Sequence, residues 1–303
     1  MARLLPALLV VALLGGSAAA FAVTERLKLE RSPILATRVD KEVSPTSGEE
    51  AAISFRLRKS DRLSVAIVNA EGDVVRDLVS SRHAARGEQD LSWDGRDNAG
   101  AVVPDGVYKP RVHLSHEHRT ILLPNPIRVD TVAPKIALAS LNQRVFSPDR
   151  DFRHDYLLVR YRVSEPARAV LYANGHLVVK TKSFTARTLT WTGRADGLAR
   201  PAGRYRLRLR AIDRAGNVGP TTKPFSVRIR YIELAPHRLH ARAGGKIVVR
   251  VATDARFYMW RIGSRHARVR ARRLALAAGA PGQYVLAVSA RGHSDRAIVV
   301  VEP

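Results

Sequence analysis

Apolar and polar residues alternate with a period of two along most of the chain. Residues 53–58, Ile-Ser-Phe-Arg-Leu-Arg, and residues 204–211, Arg-Tyr-Arg-Leu-Arg-Leu-Arg-Ala, show the pattern clearly. Such alternation is typical of β-strands that bury one face and leave the other in water. Glycine, proline, asparagine and aspartate separate the alternating segments, as turns require. The pattern predicts an all-β chain of short antiparallel strands.

The predicted strands fall into three consecutive groups. The first group comprises residues 53–57, 63–67, 73–79, 88–93, 107–114 and 119–129. The second group comprises residues 157–163, 167–173, 177–180, 204–211 and 225–232. The third group comprises residues 246–252, 256–262, 266–272, 284–290 and 297–301. Groups of this size, with turns between the strands, are typical of antiparallel β-sandwiches.

A turn-rich stretch from Trp93 to Tyr108 organises the first group, and it recurs in the second group from Trp191 to Tyr205. Both stretches hold closely spaced glycines, which supply positive φ, and a proline shortly before the tyrosine. A shorter third copy ends at Tyr284. A tyrosine that opens a strand after Pro-x-Gly matches a tyrosine corner, whose hydroxyl bonds to upstream backbone. We therefore predict that these aromatic residues are core and corner residues, not a carbohydrate-binding surface.

The groups predict five segments along the chain. These are a signal anchor or signal peptide at 1–24, a charged stalk at 25–42, Ig-like β-sandwiches at 43–130 and 131–231, and a smaller Ig-like β module at 232–303. A core built from about 70 residues is marginal by itself. We therefore expect the third module to dock on its neighbour.

Three motifs of the first module carry a family resemblance. They are Val-Val-Arg-Asp-Leu at 74–78, Trp-Asp-Gly-Arg-Asp at 93–97 and Val-Pro-Asp-Gly-Val-Tyr at 103–108. They resemble the immunoglobulin-like (fibronectin type III-like) domain of the flagellar hook-capping protein, a unit also found in bacterial envelope proteins. The resemblance covers residues 43–115 and, more loosely, 144–212. It implies tandem Ig-like β-sandwiches and says almost nothing about function.

The N-terminal residues 4–23 carry no charge. A run of about 20 apolar residues is long enough to cross a bilayer, and Arg3 before it would keep the N-terminus inside. The same run offers Ala-x-Ala cleavage sites after Ala20 and Ala22, which would make it a secretory signal peptide. We favour an uncleaved transmembrane helix, and both interpretations place the chain after Thr24 outside the cytoplasm. This secretory N-terminus also departs from the hook-capping protein, and it favours display on the cell surface.

Composition restricts the chemistry. There is no cysteine, which excludes disulfides, thiolate metal sites and a lipid-modified N-terminal cysteine. The sequence contains no Gly-x-Ser-x-Gly, no His-Glu-x-x-His and no phosphate-cradling glycine loop. With no nucleophile–base constellation in view, we predict that the chain is not an enzyme and needs no cofactor.

The net charge of +24 is distributed unevenly. Residues 24–134 hold 17 basic and 17 acidic residues, residues 135–231 hold 20 and 6, and residues 232–303 hold 13 and 4. Arginine outnumbers lysine by 42 to 9. One interpretation is the coding bias of a GC-rich genome, with arginine filling solvent positions. The other is a cationic surface for anionic wall polymers, lipid headgroups or nucleic acid.

A strip of arginines is the candidate contact for such a polyanion. Period-two geometry puts Arg204, Arg206, Arg208 and Arg210 on one strand face. Four neighbouring arginines are not buried without partners, so this face is predicted to be solvated. We call these four residues the arginine strip. Others are expected to join it: Arg160, Arg162, Arg228 and Arg230.

Two clusters are candidate metal sites. Residues 146–155, Phe-Ser-Pro-Asp-Arg-Asp-Phe-Arg-His-Asp, resemble the Ser-Pro-Asn-Gly-Asp-Gly-x-Asn-Asp loop of related surface domains, and Asp149, Asp151 and Asp155 could offer carboxylate oxygens to Ca²⁺. Bulky and basic residues stand between these aspartates, so we favour a solvated turn with internal ion pairs.

Histidine offers the second candidate cluster. His113, His116 and His118 could place two imidazoles on one strand face as metal ligands. Exposed loop histidines are commoner, so we predict no metal there. Asp94 and Asp97 follow Trp93 and are predicted to cap the turn, not to act as acid–base groups.

These observations predict a non-catalytic, membrane-anchored, extracytoplasmic Ig-like scaffold or binding protein of the bacterial cell envelope. Its expected contacts are the membrane through residues 4–23, and anionic cell-wall polymers or other envelope proteins. Two alternatives stay open: an accessory subunit that presents a wall-active enzyme, and a polyanion binder. Against nucleic acid as the polyanion, aromatic residues make up 6% of the chain and the cores use most of them, leaving few to stack on bases.

Overall fold

The structure is a computed structural model that describes residues 31–303, together with Ser17. The predicted N-terminal helix and membrane contact at residues 4–23 lie, apart from Ser17, outside the described residues. Among the described residues, no helix is long and apolar enough to cross a membrane. The chain divides into two compact units, Met1–Thr131 and Val132–Pro303.

The described part of the first unit is a two-sheet sandwich. Its strands are β1 (Ile34–Val39), β2 (Glu42–Val43), β3 (Ala51–Leu57), β4 (Asp61–Val68), β5 (Val74–Ala84), β6 (Gly87–Trp93), β7 (Gly106–Leu114), β8 (Arg119–Leu122) and β9 (Ile127–Val129). One sheet has the order β1-β3-β6, and the other has the order β2-β9-β7-β4-β5 with β8 paired to β7. Alternate residues of β3 are buried, as the period-two pattern predicts.

The second unit repeats this plan twice. Its first module contains β10 (Ile136–Leu141), β11 (Val145–Phe146), β12 (Leu157–Val163), β13 (Arg168–Ala173), β14 (His176–Lys180), β15 (Thr188–Trp191), β16 (Arg194–Ala195), β17 (Leu198–Ala199), β18 (Gly203–Ile212) and β19 (Phe225–Ile229). Its second module contains β20 (Ile232–Ala235), β21 (Arg238–Arg242), β22 (Lys246–Thr253), β23 (Tyr258–Ile262), β24 (Arg265–Val269), β25 (Arg273–Ala277), β26 (Gly282–Ala290) and β27 (His293–Glu302). The sheets have the orders β10-β12-β15 and β11-β19-β18-β13-β14, then β20-β22-β25 and β21-β27-β26-β23-β24, with β16 and β17 as a separate hairpin.

The sandwiches are not purely antiparallel. In each module the second strand pairs in parallel with the last strand: β2 with β9, β11 with β19, and β21 with β27. The first and second strands of a module belong to different sheets, because the chain crosses between the sheets after the first strand. That crossing turns the second strand to run alongside the last one.

The structure differs from the expected boundaries at the start of the first module. Residues 34–42, assigned to a stalk from the sequence, form β1 and the first residue of β2 in the first sandwich. Strand β1 lacks regular alternation because a bulge lies between Leu35 and Arg38, where Ala36 has a φ of 49°. Strands β21 and β25 also fall where no separate strand was predicted.

Each sandwich encloses its own hydrophobic core, and each core contains one tryptophan. Trp93 and Trp191 are 1% exposed, and Trp260 is 8% exposed. The three cores share no residue. The Trp in the third core stands on a central strand, outside the register of the other two.

The predicted tyrosine corners are present. The hydroxyl of Tyr108 donates to the Pro104 carbonyl at 2.8 Å, and that of Tyr205 donates to the Pro201 carbonyl at 2.8 Å. Tyr284 repeats the bond to the Ala280 carbonyl at 3.0 Å. The rings of Tyr108 and Tyr205 also pack edge-on against the tryptophan of their own module, at 5.2 and 5.6 Å between centroids. These aromatic residues are therefore structural, as the sequence predicts.

A serine–proline pair supports the turn after the tryptophan in the first two modules. A Cβ on Gly95 would lie 2.6 Å from Cγ of Pro45, and a Cβ on Gly193 would lie 2.5 Å from Cγ of Pro148. Both glycines also have positive φ, so any side chain there would be strained and would collide with the proline. The pairs at 44–45 and 147–148 therefore occupy equivalent positions.

Candidate anion-binding site

The arginine strip lies on the outward face of β18. Arg204, Arg206 and Arg208 are exposed and Arg210 is half-buried, while the residues between them in the strand point into the core. Three of the four arginines line a groove of about 560 Å³ together with Tyr172. The predicted orientation of the strip is therefore correct, and polyanion binding by it stays a prediction.

The arginines expected to join the strip do so only in part. Arg228 lies directly opposite Arg204 on β19, but it forms an ion pair with Glu233 at 2.5 Å. Arg160 and Arg162 lie on β12, in the other sheet of the sandwich. They cannot extend the strip, because the outward faces of two packed sheets point in opposite directions. The alternation of single strands fixes which face a side chain takes, but it does not say which sheet the strand enters.

A larger groove, of about 890 Å³, lies within the second unit where its two modules meet. We call it the junction groove. Among the residues that the structure describes, Asp254 is the only acidic residue that lines it. Seven arginines line it: Arg153, Arg230, Arg250, Arg256, Arg270, Arg272 and Arg273. Sequence reasoning missed this site, because its arginines come from four separate stretches of the chain.

Backbone contacts hold the segment 270–273 in place. The Tyr258 hydroxyl donates to the Ala271 carbonyl at 2.7 Å, and the Val251 amide donates to the Arg272 carbonyl at 2.9 Å. On the opposite side of the groove, the second module holds its own lining in place. The amide of Arg230, just after β19, donates to the carbonyl of Phe146 on β11 at 3.0 Å. The arginines of the groove therefore project from an ordered framework.

Hydrogen bonds and a ring contact join the modules around this groove. The Thr253 hydroxyl donates to the Tyr231 carbonyl at 2.8 Å, and a guanidinium nitrogen of Arg153 donates to the Asp254 carbonyl at 3.1 Å. The ring of Tyr231 stacks on His293 with centroids 3.5 Å apart, and burial lowers the pKa of His293. The third module thus docks on the second, in agreement with the expectation from its small core.

The electrostatics of the junction groove favour an anion. Among the residues that the structure describes, none of its seven arginines forms an ion pair with a carboxylate. Arg250 and Arg273 are also directly opposite each other across β22 and β25. Like charges in that position destabilise a strand pair. A bound anion would relieve this repulsion.

The three aspartates of the loop 147–155, which we call the acidic loop, are brought together. One carboxylate oxygen from each of Asp149, Asp151 and Asp155 lies within 4.8 Å of the others. The carboxylate of Asp155 accepts from the Arg150 and Phe152 amides at 2.7 and 2.6 Å. The predicted internal ion pairs are not formed: in the described part of the chain, neither Arg150 nor Arg153 pairs with a carboxylate of this loop.

Burial and neighbouring carboxylates raise the pKa values of two aspartates at the acidic loop, Asp149 and Asp254. Burial, followed by the charges of Asp151, Asp254 and Asp155, raises the pKa of Asp149 to about 6. Burial also raises the pKa of Asp254. The Ser147 hydroxyl lies close enough to offset part of that second rise, although it forms no hydrogen bond of acceptable geometry.

The histidines of the first module do not form a metal cluster within the described residues. His113 contacts the Thr120 hydroxyl at 3.0 Å, and His116 lies 3.7 Å from Asp61. Asp61 is 1% exposed and accepts from the amides of Arg62, His116 and Glu117. This carboxylate therefore fastens the turn that carries the histidines.

The aspartates after Trp93 cap their turn, as predicted. Asp94 accepts from the Arg96 amide at 3.0 Å. Asp97 accepts from the Ala99 and Ala101 amides at 2.9 and 2.8 Å. Their side chains are therefore engaged in local backbone structure.

Comparison with solved structures gives weak overlaps. Fibronectin(III)-like modules of CbhA from Clostridium thermocellum align with 64% of this chain and 93% of their own, at 16% identity and a TM-score of 0.34. A bacterial ice-binding adhesin aligns with 90% of this chain and 99% of its own, at 14% identity and a TM-score of 0.29. The I-band fragment I67–I69 of titin has 11% identity and a TM-score of 0.28 over the same shares. TM-scores this low do not establish a shared arrangement of modules or a shared function.

Comparison with families is more definite for the first module. No curated protein matches the chain. Residues 41–117 match the model of the FlgD Ig-like domain, and this range contains all three motifs at 74–78, 93–97 and 103–108. The resemblance to the Ig-like domain of the flagellar hook-capping protein is thereby confirmed for residues 41–117.

Proposed function

We propose that this chain is a non-catalytic, membrane-anchored binding protein of the bacterial cell envelope, which holds an acidic wall polymer in the junction groove. The Ig-like modules act as the scaffold, and the apolar run at 4–23 supports anchoring. The observation that carries the proposal is a set of seven arginines around one groove, none of which forms an ion pair with a carboxylate in the described part of the chain. Guanidinium groups suit this task, because they bind phosphate and carboxylate in a bidentate fashion.

A polymer with a phosphate or carboxylate on each repeat fits the groove better than a small anion does. Seven arginines offer more positive charge than one small anion can neutralise. Binding of this kind is driven largely by counterion release, so its affinity falls linearly with salt on logarithmic axes. The slope reports how many anionic groups are neutralised.

The test uses the full chain and a poly(glycerol phosphate) polymer of the teichoic type. The double variant Arg250→Ala, Arg273→Ala removes two opposed arginines of the groove. Arg160→Ala, Arg162→Ala is the matched control, since both residues are exposed on an outer sheet face and do not line the groove. We expect the groove variant to bind more weakly and to lower the salt slope by about 1.4, from roughly 0.7 per contact on a flexible strand.

The control variant should keep the parental affinity and slope. An equal loss in both double variants would show attraction to overall charge alone, and coding bias would then explain the arginines. Binding of duplex DNA or anionic liposomes as tightly as the wall polymer would also contradict the proposal.

A further inference from the structure

The start of the acidic loop differs from the equivalent residues 44–46 of the first module at one position, where Asp149 replaces Thr46. In the first module the buried Ser44 hydroxyl contacts the Thr46 hydroxyl at 2.8 Å. In the second module Ser147 occupies the equivalent place before the proline and is 2% exposed, and Asp149 stands where the first module has Thr46. The Ser147 hydroxyl is buried without a hydrogen-bond partner. A buried hydroxyl in that state costs free energy unless something else binds it.

The groups around Ser147 are carboxylates, and some of their oxygens also lack hydrogen-bond partners. One oxygen of Asp149 and both oxygens of Asp254 are buried and accept no hydrogen bond. Asp254 belongs to the third module and comes close enough for its charge to act on Asp149. Its nearest basic group is His154, at 3.7 Å from its Oδ2. The three carboxylates of the loop, the Asp254 carboxylate and a buried hydroxyl therefore lie near one another, and three of the carboxylate oxygens accept no hydrogen bond.

The backbone of the loop leaves these oxygens available. The amides of Arg150 and Phe152 bind Asp155, and the amide of Arg153 binds one oxygen of Asp151 at 2.9 Å. These bonds orient the carboxylates and leave the second oxygen of Asp151 and the Oδ1 of Asp149 for another ligand. A set of closely spaced oxygen atoms without nitrogen or sulfur is the donor set of a hard divalent cation.

We propose that Asp149, Asp151 and Asp155 bind one calcium ion, beside Ser147 and next to Asp254 at the joint between the second and third modules. Calcium suits the site better than magnesium does, because it accepts six to eight oxygen ligands in flexible geometry. The cation neutralises repulsion that the protein otherwise carries. It also gives the buried carboxylate oxygens the positive partner that the arginines of the neighbouring groove do not provide.

Calcium binding to the full chain is measured by isothermal titration calorimetry after treatment with EDTA, and the melting temperature of each unit is measured by calorimetry. We expect one ion per chain. At a concentration of 100 Kd, the Tm of the second unit should rise by about 5–10 °C and that of the first unit should stay constant. Terbium gives a second measurement: its luminescence should be sensitised by Trp191, because Gly193 of the same turn contacts the proline before Asp149.

The double variant Asp149→Asn, Asp151→Asn should lose the heat of binding, the rise in Tm and the luminescence. Without calcium it should melt at or above the parental temperature, because the substitution removes repulsion, and this shows that it folds. Glu71→Gln, Glu88→Gln removes the same charge from exposed positions outside the cluster and should behave as the parent. The proposal is overturned if calcium at several millimolar, above the roughly 0.1–1 mM Kd range of weak extracellular sites, gives no heat and no shift. Retention of the calcium response by the double aspartate variant would overturn it equally.

Discussion

Replacing Trp191 with alanine tests the organisation of the second unit directly. The indole is 1% exposed and packs edge-on against Phe146 and Tyr205, with centroids 5.4 and 5.6 Å away. Its Nε1 donates to the Arg194 carbonyl at 2.8 Å. Truncation of a buried Trp costs roughly 3–5 kcal/mol through lost burial and the cavity left behind. That is a large part of the roughly 5–15 kcal/mol that stabilises a domain.

The expected result is a selective fall in one thermal transition. A unit of this size loses about 2–4 °C in Tm per kcal/mol, so Trp191→Ala should lower the transition of the second unit by roughly 6–20 °C. The transition of the first unit should not move. Trp93→Ala is the reciprocal control, because that indole occupies the equivalent place in the first core and donates to the Arg96 carbonyl at 2.9 Å.

Differential scanning calorimetry of the parent and the two variants makes the measurement. A shift below about 2 °C in Trp191→Ala would mean that the indole is not a core residue, which would contradict the reasoning and revive a surface role in sugar binding. Movement of both transitions by either variant would contradict the division into two units with separate cores.

Two further predictions concern pH and the N-terminus. Burial raises the pKa of Asp61, but three backbone hydrogen bonds outweigh it and hold the pKa below its usual 3.8. Its contribution is therefore present above that pH and lost as pH falls through the folded pKa, so Asp61→Asn should destabilise the first unit in urea at pH 7 and differ less from the parent near pH 3. Intact mass of the native protein should show that residues 4–23 are retained, and a mature chain that begins at Phe21 or Val23 would contradict the anchor.

Period-two alternation and turn chemistry were enough to predict the modules, because each buried face and each tyrosine corner depends on residues close together in sequence. The orientation of the arginine strip followed in the same way from one strand. The sheet to which a strand belongs depends on long-range pairing, and so the place of Arg160 and Arg162 could not be read from the pattern. Strand β1 escaped prediction because its bulge breaks the alternation.

The junction groove could not be predicted from the sequence. Its arginines become neighbours only because the third module docks on the second through contacts such as Thr253 to Tyr231. The spacing of the aspartates was enough to single out the acidic loop in the sequence. The proposed calcium site depends in addition on which of its polar atoms are buried without hydrogen bonds. The spacing does not show that the Ser147 hydroxyl lacks a hydrogen-bond partner, or that Asp254 of the third module lies close to Asp149.

The parallel pairing of the second and last strands bears on how a module responds to force. When the two ends of such a module are pulled apart, these strands slide past each other, and their hydrogen bonds are loaded together in shear. The pair β21 and β27 matches five residue positions, while β2 with β9 and β11 with β19 match two each. Under tension applied to its ends, the chain would therefore yield first in its two larger modules, and the small third module would extend last.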